Sequence, residues 1–217
     1  MIIDLNLQGK TVLVIGGGNE ALKRINSLLD QNCSVIVISR KTSPDIKKIS
    51  KAKKIKLKNQ NIENTKFLDE LKPYMVITTT DDNSINQKII RAAKKKNIVA
   101  YSSDNPDESD FANPSIINFE NTIKIAIFTG GKSPAMSKKL REKSEKMFKK
   151  IITKEDICQI KIQEKIRKMA KEKIAVQTER KKAIRCIMSD DKIEQLIKDG
   201  DLKNAERHAT KILRNWK

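Results

Sequence analysis

The chain of 217 residues is long enough for one or two domains with a hydrophobic core, and no apolar run in it could cross a bilayer. The first 15 residues lack the basic-then-apolar order of a signal peptide, so we expect a soluble, cytoplasmic protein. Three cysteines without paired spacing and a single histidine argue against a disulfide framework and exclude a histidine-rich metal centre.

The formal net charge of +19 has three explanations. A strongly basic chain is often attracted to a polyanion such as nucleic acid. Lysines that alternate with acids along helices are also typical of a solvated face, and an aromatic content of 4% leaves few platforms for stacking single strands. A small but highly anionic substrate is the third explanation.

The first predicted element is a strand over residues 11–15, which runs into three glycines and then into a helical pattern over residues 19–31. The glycines fit the pattern G-x-G-x-x-A: Gly16 allows a tight turn, Gly18 lets the backbone approach a pyrophosphate, and Ala21 packs helix against strand. Free N–H groups at the helix start would face the phosphates. Taken alone, the motif equally fits a glycine turn in an unrelated α/β protein.

Further strands are predicted at residues 34–39, 55–57, 74–79 and 98–101, with a helix at residues 84–96. This alternation predicts an open parallel sheet whose ligand lies at the carboxyl ends of the strands. A typical NAD site carries an acid at the end of the second strand, whereas this sequence has Ser39 and Arg40 there. NAD and NADP both stay open, because Arg40 could meet a 2′-phosphate.

After this sheet the pattern changes, and residues 115–119 and 122–129 predict an antiparallel hairpin. A glycine pair with Lys132 precedes a helix over residues 135–150 and forms a second candidate anion cradle, although its spacing does not match Walker A. From residue 153 onward the sequence predicts only helices, ending in a helical hairpin that fits a packing module. We therefore predict an α/β protein with a Rossmann domain at 1–113, a hairpin-helix dimerisation region at 114–150 and a helical domain at 151–217.

Four motifs follow one another in the order Val14-Ile15-Gly16-Gly17-Gly18 with Ala21, Thr80-Asp81-Asp82 with Asn86, Asp104-x-Pro106 with Phe111, and Thr129-Gly130-Gly131 with Ser133-Pro134. Together they cover residues 10–145. At these separations the sequence resembles the precorrin-2 dehydrogenase and sirohydrochlorin ferrochelatase family, the stand-alone counterpart of the first module of siroheme synthase.

The resemblance implies an NAD-dependent, or NADP-dependent, oxidation of precorrin-2 to sirohydrochlorin. In some members of the family a ferrochelatase activity follows, with Fe2+ as a substrate. The resemblance also implies a homodimer that uses the hairpin and the helix after it, with no specific nucleic acid and no membrane as partners. Precorrin-2 carries eight carboxylates, so part of the basic charge would serve a small molecule.

Site residues are assigned by the same resemblance. Asp104 is the expected catalytic residue and, in a chelatase, a transient metal ligand; we expect it to be buried beside substrate carboxylates, where it could exchange a proton. Alone, it also fits a turn-forming Asx residue. The expected dinucleotide contacts are Gly16, Gly17, Gly18, Asn19, Glu20, Ser39, Arg40, Thr80, Asp81 and Asn86. The expected substrate contacts are Asn113, Thr129, Lys132 and Ser133. Helix capping is the other role open to Thr80, Asp81, Asn86 and Ser133.

A second hypothesis belongs to another functional class. The chain would be a nucleotide-sensing Rossmann module whose basic helical tail contacts nucleic acid. Turnover of a tetrapyrrole, as opposed to dinucleotide binding alone, discriminates the two hypotheses.

Overall fold

The computed structural model describes residues 2–216, and the chain divides into two compact units, Met1–Asn113 and Pro114–Lys217. The first unit is a parallel sheet with helices, and the second is an antiparallel hairpin followed by five helices. The predicted fold class is therefore confirmed. The three-part domain division expected from the sequence stays a prediction.

Five parallel strands form the sheet of the first unit, in the order β3-β2-β1-β4-β5. Their bounds are Thr11–Ile15 for β1, Ser34–Ile38 for β2, Lys56–Lys58 for β3, Met75–Thr78 for β4 and Val99–Ser102 for β5. Because all strands run in one direction, the loops after β1, β2 and β4 emerge at the same edge of the sheet.

The central strand β1 is buried on both faces, as expected for a parallel sheet covered by helices. Val12 and Val14 belong to one core cluster, while Leu13 and Ile15 belong to another, which follows from the alternation of side chains along a strand. The first cluster includes residues of helices α1 (Asn19–Leu28) and α2 (Pro44–Lys51). The second includes residues of α3 (Phe67–Leu71) and α4 (Asn83–Lys95). The sheet is thus the middle of three layers.

The second unit begins with the predicted hairpin, formed by β6 (Ser115–Phe119) and β7 (Ile123–Ile127) in antiparallel register from Ser115 opposite Ile127. The two turn residues Glu120 and Asn121 both have positive φ values, 47° and 55°. Such a pair is typical of the type I′ turn, whose twist matches that of the flanking strands.

Five helices complete the second unit: α5 (Pro134–Ile151), α6 (Lys154–Lys173), α7 (Gln177–Met188), α8 (Asp191–Lys198) and α9 (Leu202–Arg214). Helices α6 to α9 share one hydrophobic core, in which Ile166 is almost fully buried. The predicted helical hairpin is confirmed, because α8 and α9 are joined by a short connection and their buried residues share that core. Asp190 caps α8, and Asp201 caps α9. Among residues 2–216 there is no helix with the length and apolar character that a membrane crossing requires.

Candidate functional site

The loops after β1, β2, β3 and β4 line a cleft of about 760 Å³. The lining consists of residues 16–18, 38–43, 60–63, 79–82 and 85. This is the place where open parallel sheets bind their ligands, because loop backbone and helix N-termini converge there. The cleft brings together seven of the ten residues that the sequence assigned to the dinucleotide: Gly16, Gly17, Gly18, Ser39, Arg40, Thr80 and Asp81.

Close contacts with neighbouring loops explain two of the three glycines. Gly16 has a φ of +122°, and a Cβ atom there would lie 2.9 Å from the carbonyl oxygen of Thr79. A Cβ atom at Gly17 would lie 2.7 Å from Ser39 Oγ and closer still to the carbonyl oxygen of Lys41. Any side chain at these two positions would therefore push the loops apart.

Gly18 is different, because the fold itself leaves room for a side chain. A Cβ atom there would have no neighbour within 4 Å, and the backbone is extended, with φ −88° and ψ −163°. Gly18 precedes the first residue of α1, so the free N–H groups of that helix start begin here. The open space over a helix N-terminus suits a phosphate group that approaches the backbone.

The loop after β2 is held against the glycine loop by hydrogen bonds. The buried Ser39 hydroxyl donates to the carbonyl oxygen of Lys41 at 2.7 Å, and the backbone N–H of Ser43 donates to Gly17 O at 2.9 Å. Ser43 also accepts from Ile46 N and caps α2. Arg40 and Lys41 lie in this loop with exposed side chains. The loop therefore presents two cations at the cleft.

Asn86 supports the loop after β4 and does not line the cleft. It is fully buried; its Nδ2 donates to the carbonyl oxygen of Thr80 at 2.9 Å, and its Oδ1 accepts from Thr80 Oγ1 at 2.7 Å. Thr79 anchors the same loop by donating from Oγ1 to Ile15 O at 2.9 Å. The two hydrogen bonds of Asn86 therefore hold Thr80, which lines the cleft.

The N-cap of α4 is Asp82, and not Thr80, Asp81 or Asn86. Hydrogen bonds from the backbone N–H of Ile85 and from Ser84 lower the pKa of the Asp82 carboxyl. The adjacent Asp81 is exposed and lines the cleft. The Asp82 carboxylate thus caps the helix, and the Asp81 carboxylate is free to contact a ligand in the cleft.

Asn19 and Glu20 lie in the first turn of α1 but outside the cleft lining. Glu20 pairs with Lys23 at 3.1 Å and with Arg24, which in turn donates to the hydroxyl of Tyr101 at 2.9 Å. Burial opposes ionisation of Glu20, but the hydrogen bonds and charges of Lys23 and Arg24 outweigh it and lower its pKa. The Glu20 carboxylate therefore ties α1 to β5.

Asp104 follows β5 at the same edge of the sheet, and its side chain is exposed. The expectation that Asp104 is buried is therefore wrong, because the turn after β5 carries it out to solvent. Its Oδ1 accepts from Ser102 Oγ at 2.5 Å. Ser102 is buried, and its hydroxyl lies 3.2 Å from the hydroxyl of the buried Thr78. The hydroxyl groups of Thr78 and Ser102 thus hold the exposed carboxylate of Asp104 in place.

The substrate residues expected from the sequence fall in both units. Asn113 ends the first unit and is exposed. In the second unit Thr129 Oγ1 lies 2.9 Å from Ser137 Oγ, and Ser133 caps α5 by accepting from Met136 N at 3.2 Å. Lys132 is exposed between the glycine pair and the cap. The predicted loop before a helix N-terminus is thus present, and the capping role of Ser133 is confirmed. Anion binding by this loop stays a prediction.

Sequence reasoning missed the cleft residues Lys41, Thr42 and Ser43, and the segment at residues 60–63. Ser43 followed by Pro44 is a helix-start signal that could have located the end of the β2 loop. Residues 60–63 follow a three-residue strand and carry no pattern of their own. Among residues 2–216, no group of three or more His, Cys, Asp or Glu side chains is placed to hold a metal ion.

Comparison with known proteins matches residues 3–115 to a family described as putative NAD(P)-binding. A siroheme synthase of Baumannia cicadellinicola is 33% identical over 140 residues, which cover 64% of this chain and 29% of that protein. A siroheme synthase of Yersinia pestis is 26% identical over 206 residues, which cover 95% of this chain and 42% of that protein. The chain thus spans less than half the length of these relatives.

Among solved structures, one described as SirC, precorrin-2 dehydrogenase, has a similar fold. Its TM-score is 0.70 at 18% sequence identity, and the match covers 97% of this chain and 99% of that one. The residues matched by the family contain the glycine loop and the ends of the four strands that border the cleft. The resemblance drawn from the four motifs is confirmed.

Replacing Gly18 tests the glycine loop directly. Gly18→Val should abolish dinucleotide binding, because a branched side chain would occupy the space where the pyrophosphate must approach the backbone. The fold should be retained, since that space is open and the extended backbone suits valine. Asn26→Val, on an exposed position of the same helix, is the control and should bind as wild type does. Calorimetric titration that gave Gly18→Val the wild-type affinity would remove this site from consideration.

Proposed function

This chain belongs to the putative NAD(P)-binding family, and we propose that it catalyses the dinucleotide-dependent oxidation of precorrin-2 to sirohydrochlorin in siroheme synthesis. The observation that carries the proposal is the cleft at Gly18, where a side chain would have no neighbour within 4 Å and the N-terminus of α1 begins. The siroheme synthases matched by this chain support the choice of substrate.

The residues of the cleft fit a dinucleotide. Glycines at the end of β1 admit a pyrophosphate, and the helix start after Gly18 offers N–H groups to it. Thr80 is held by the buried Asn86, and Thr80 and Asp81, which both line the cleft, can bind the polar groups of a nucleoside. When bound, the dinucleotide supplies the hydride acceptor, so the protein has to bind it, orient the substrate and move a proton.

We assign the proton transfer to Asp104. Its carboxylate is exposed and therefore accessible to a bound substrate, while the hydrogen bond from Ser102 fixes its orientation. A positioned carboxylate can accept the proton that leaves when the tetrapyrrole is oxidised. Asn113 follows in the same unit and is exposed, so it is available for substrate contacts.

The second unit is proposed to bind substrate carboxylates. It contains 27 lysines and arginines against 14 acids, a strong excess of positive charge for a unit of its size. The loop of Lys132 and Ser133 combines an ammonium group with the N-terminus of the long helix α5. Thr129 supports that loop through the hydroxyl of the buried Ser137. A tetrapyrrole with eight carboxylates would be drawn to such a surface.

Insertion of Fe2+ into sirohydrochlorin is a separate part of the proposal. Asp104 offers an exposed oxygen ligand, and a transient contact with the metal would need only that one carboxylate. Dehydrogenation and metal insertion are therefore to be assayed separately on the same variants. Loss of insertion alone on changing Asp104 would mean that oxidation depends mainly on positioning the two reactants.

The homodimer is proposed from an apolar stripe on α5. Met136, Leu140, Met147 and Ile151 recur at helical spacing and are exposed, by 45%, 39%, 64% and 64%. The hairpin adds two more exposed apolar side chains, those of Ile116 and Phe128. Exposed apolar side chains that recur along one face of a helix, in a highly charged unit, are typical of an interface. A second copy of the chain, offering the same stripe, would cover it by symmetry.

The runner-up function is a nucleotide-sensing module that contacts nucleic acid. One observation favours it: Lys203, Arg207, Lys211 and Arg214 form a basic stripe along α9, beside a groove that also contains Lys165. Binding that rests on such charges alone is non-specific and falls steeply with salt. Sequence-selective binding near physiological salt, without tetrapyrrole turnover, would favour this second function.

Asp104→Asn tests the catalytic assignment. Asparagine keeps the shape and the turn-forming capacity but cannot accept a proton at neutral pH, so the oxidation rate should fall by about 10²- to 10⁴-fold. Dinucleotide affinity should stay at the wild-type value. Asp107→Asn, an exposed neighbour in the short helical turn after β5, is the control and should keep the wild-type rate. Wild-type rates for Asp104→Asn in both assays would show that the catalytic residue is wrongly assigned.

Light scattering tests the dimer. The wild-type chain should have about twice the mass of the 24.7 kDa monomer at micromolar concentration. Leu140→Glu with Met147→Glu should give the monomer, because two carboxylates would have to be buried at the interface. Lys139→Glu with Lys146→Glu changes charge on exposed positions of the same helix and should leave the dimer intact. A monomeric wild-type chain would refute the proposal.

A further inference from the structure

We propose that Ser102 is a positioning residue for Asp104: the buried hydroxyl groups of Ser102 and Thr78 hold the carboxylate at Oδ1, and Oδ2 is the oxygen that accepts the proton. The inference rests on the proposed oxidation and deepens it, since it identifies the reacting atom and the groups that orient it. It follows from the placement of the two hydroxyl groups, the direction of their hydrogen bonds and the contacts that close the loop after β5.

The sheet places both hydroxyl groups beside Asp104. Thr78 and Ser102 are register partners at the ends of the neighbouring parallel strands β4 and β5. Register partners direct their side chains to the same face of a sheet, and the two hydroxyl oxygens lie 3.2 Å apart. Both residues are buried, with 0% and 1% of their surface exposed. A buried hydroxyl group is costly unless it forms hydrogen bonds, so both groups need partners at this site.

The direction of the hydrogen bonds follows from the chemistry of the three groups. An ionised carboxylate can only accept, so Ser102 uses its one hydroxyl proton at Asp104 Oδ1, at 2.5 Å. Ser102 Oγ has to be the acceptor in its contact with Thr78, whose hydroxyl group is therefore the donor. A hydrogen bond to a charged acceptor is stronger than a neutral one. Both hydroxyl groups are thus oriented towards the carboxylate.

The loop after β5 does not need the bond between Ser102 and Asp104 for its shape. Its backbone is held by other contacts: Ser103 N donates to Thr78 O at 3.0 Å, and Ser102 N donates to Ser109 Oγ at 2.9 Å. In the described part of the chain the Asp104 carboxylate accepts from no backbone N–H, so it forms no Asx turn. The Ser102 hydroxyl therefore serves the carboxylate and not the turn.

The second carboxylate oxygen is left for the substrate. Asp104 is exposed, and its Oδ2 forms no hydrogen bond with any of residues 2–216. A carboxylate that is held at one oxygen has fewer orientations to lose when the reaction begins. Because this orientation acts on the chemical step, the hydroxyl groups should affect kcat and not substrate binding.

Steady-state kinetics of precorrin-2 oxidation by the full chain test the inference. Ser102→Ala should lower kcat by about 10- to 100-fold, the effect of one hydrogen bond to a charged group, and leave KM and dinucleotide affinity at wild-type values. The fold should be retained, because Thr78 Oγ1 also lies 3.5 Å from the acceptor Tyr101 O. The matched control is Ser103→Ala at the adjacent half-buried serine, whose hydroxyl group forms no hydrogen bond to the described residues. It should keep the wild-type kcat.

A double variant separates positioning from a structural role. In the Asp104→Asn background, Ser102→Ala should cause no further loss of kcat, because the proton acceptor through which Ser102 acts is already absent. A serine that only supported the fold would lower the rate by the same factor in both backgrounds. It would also lower dinucleotide affinity and the unfolding temperature.

Thr78→Val should lower kcat by a smaller factor than Ser102→Ala, because Ser102 keeps its own hydrogen bond to Asp104. Wild-type kcat for Ser102→Ala, or losses that multiply in the double variant, would overturn the inference and leave the proposed function standing. A wild-type chain that leaves precorrin-2 unoxidised with either dinucleotide would instead overturn the proposed function itself.

Discussion

The close packing of the glycine loop against its neighbours is the constraint on which the first unit depends. Gly17 O accepts from Ser43 N, and a side chain at residue 17 would collide with the carbonyl oxygen of Lys41. Gly16 meets Thr79 in the same way on the other side. The loops after β1, β2 and β4 are thereby gathered at one edge of the sheet. The cleft, the position of the β2 loop with its two cations, and the open space at Gly18 all follow from that packing.

Most of the sheet could be predicted from the sequence, because runs of apolar residues in the sequence coincide with buried strands. Each predicted strand of the sheet lies within about two residues of its observed position, and the residues of β1 alternate between two cores as a parallel strand should. Glycines before a helix located the cleft. The capping role considered for Ser133 marked a helix start correctly, since its short side-chain oxygen accepts from a specific backbone N–H there.

Other features could not be predicted because they depend on tertiary contacts. Helix α3 has five residues and no side-chain cap, and it is held by the burial of Phe67 and Leu68 against the sheet. Asn86 resembled a cofactor ligand in sequence, but burial and two hydrogen bonds make it a support for Thr80. The exposure of Asp104 is set by the turn after β5. A sequence pattern shows residue types and their spacing. It does not show which neighbouring atoms a side chain contacts in the fold.

The most direct test of the central claim is anaerobic incubation of the full chain with precorrin-2 and an excess of each dinucleotide, following the tetrapyrrole and reduced-dinucleotide spectra together. The account predicts that reduced dinucleotide forms in step with sirohydrochlorin, one molecule for each tetrapyrrole oxidised, because the oxidation removes two electrons as a hydride. A chain that binds the dinucleotide tightly but leaves precorrin-2 unchanged would contradict the account and indicate a binding module instead.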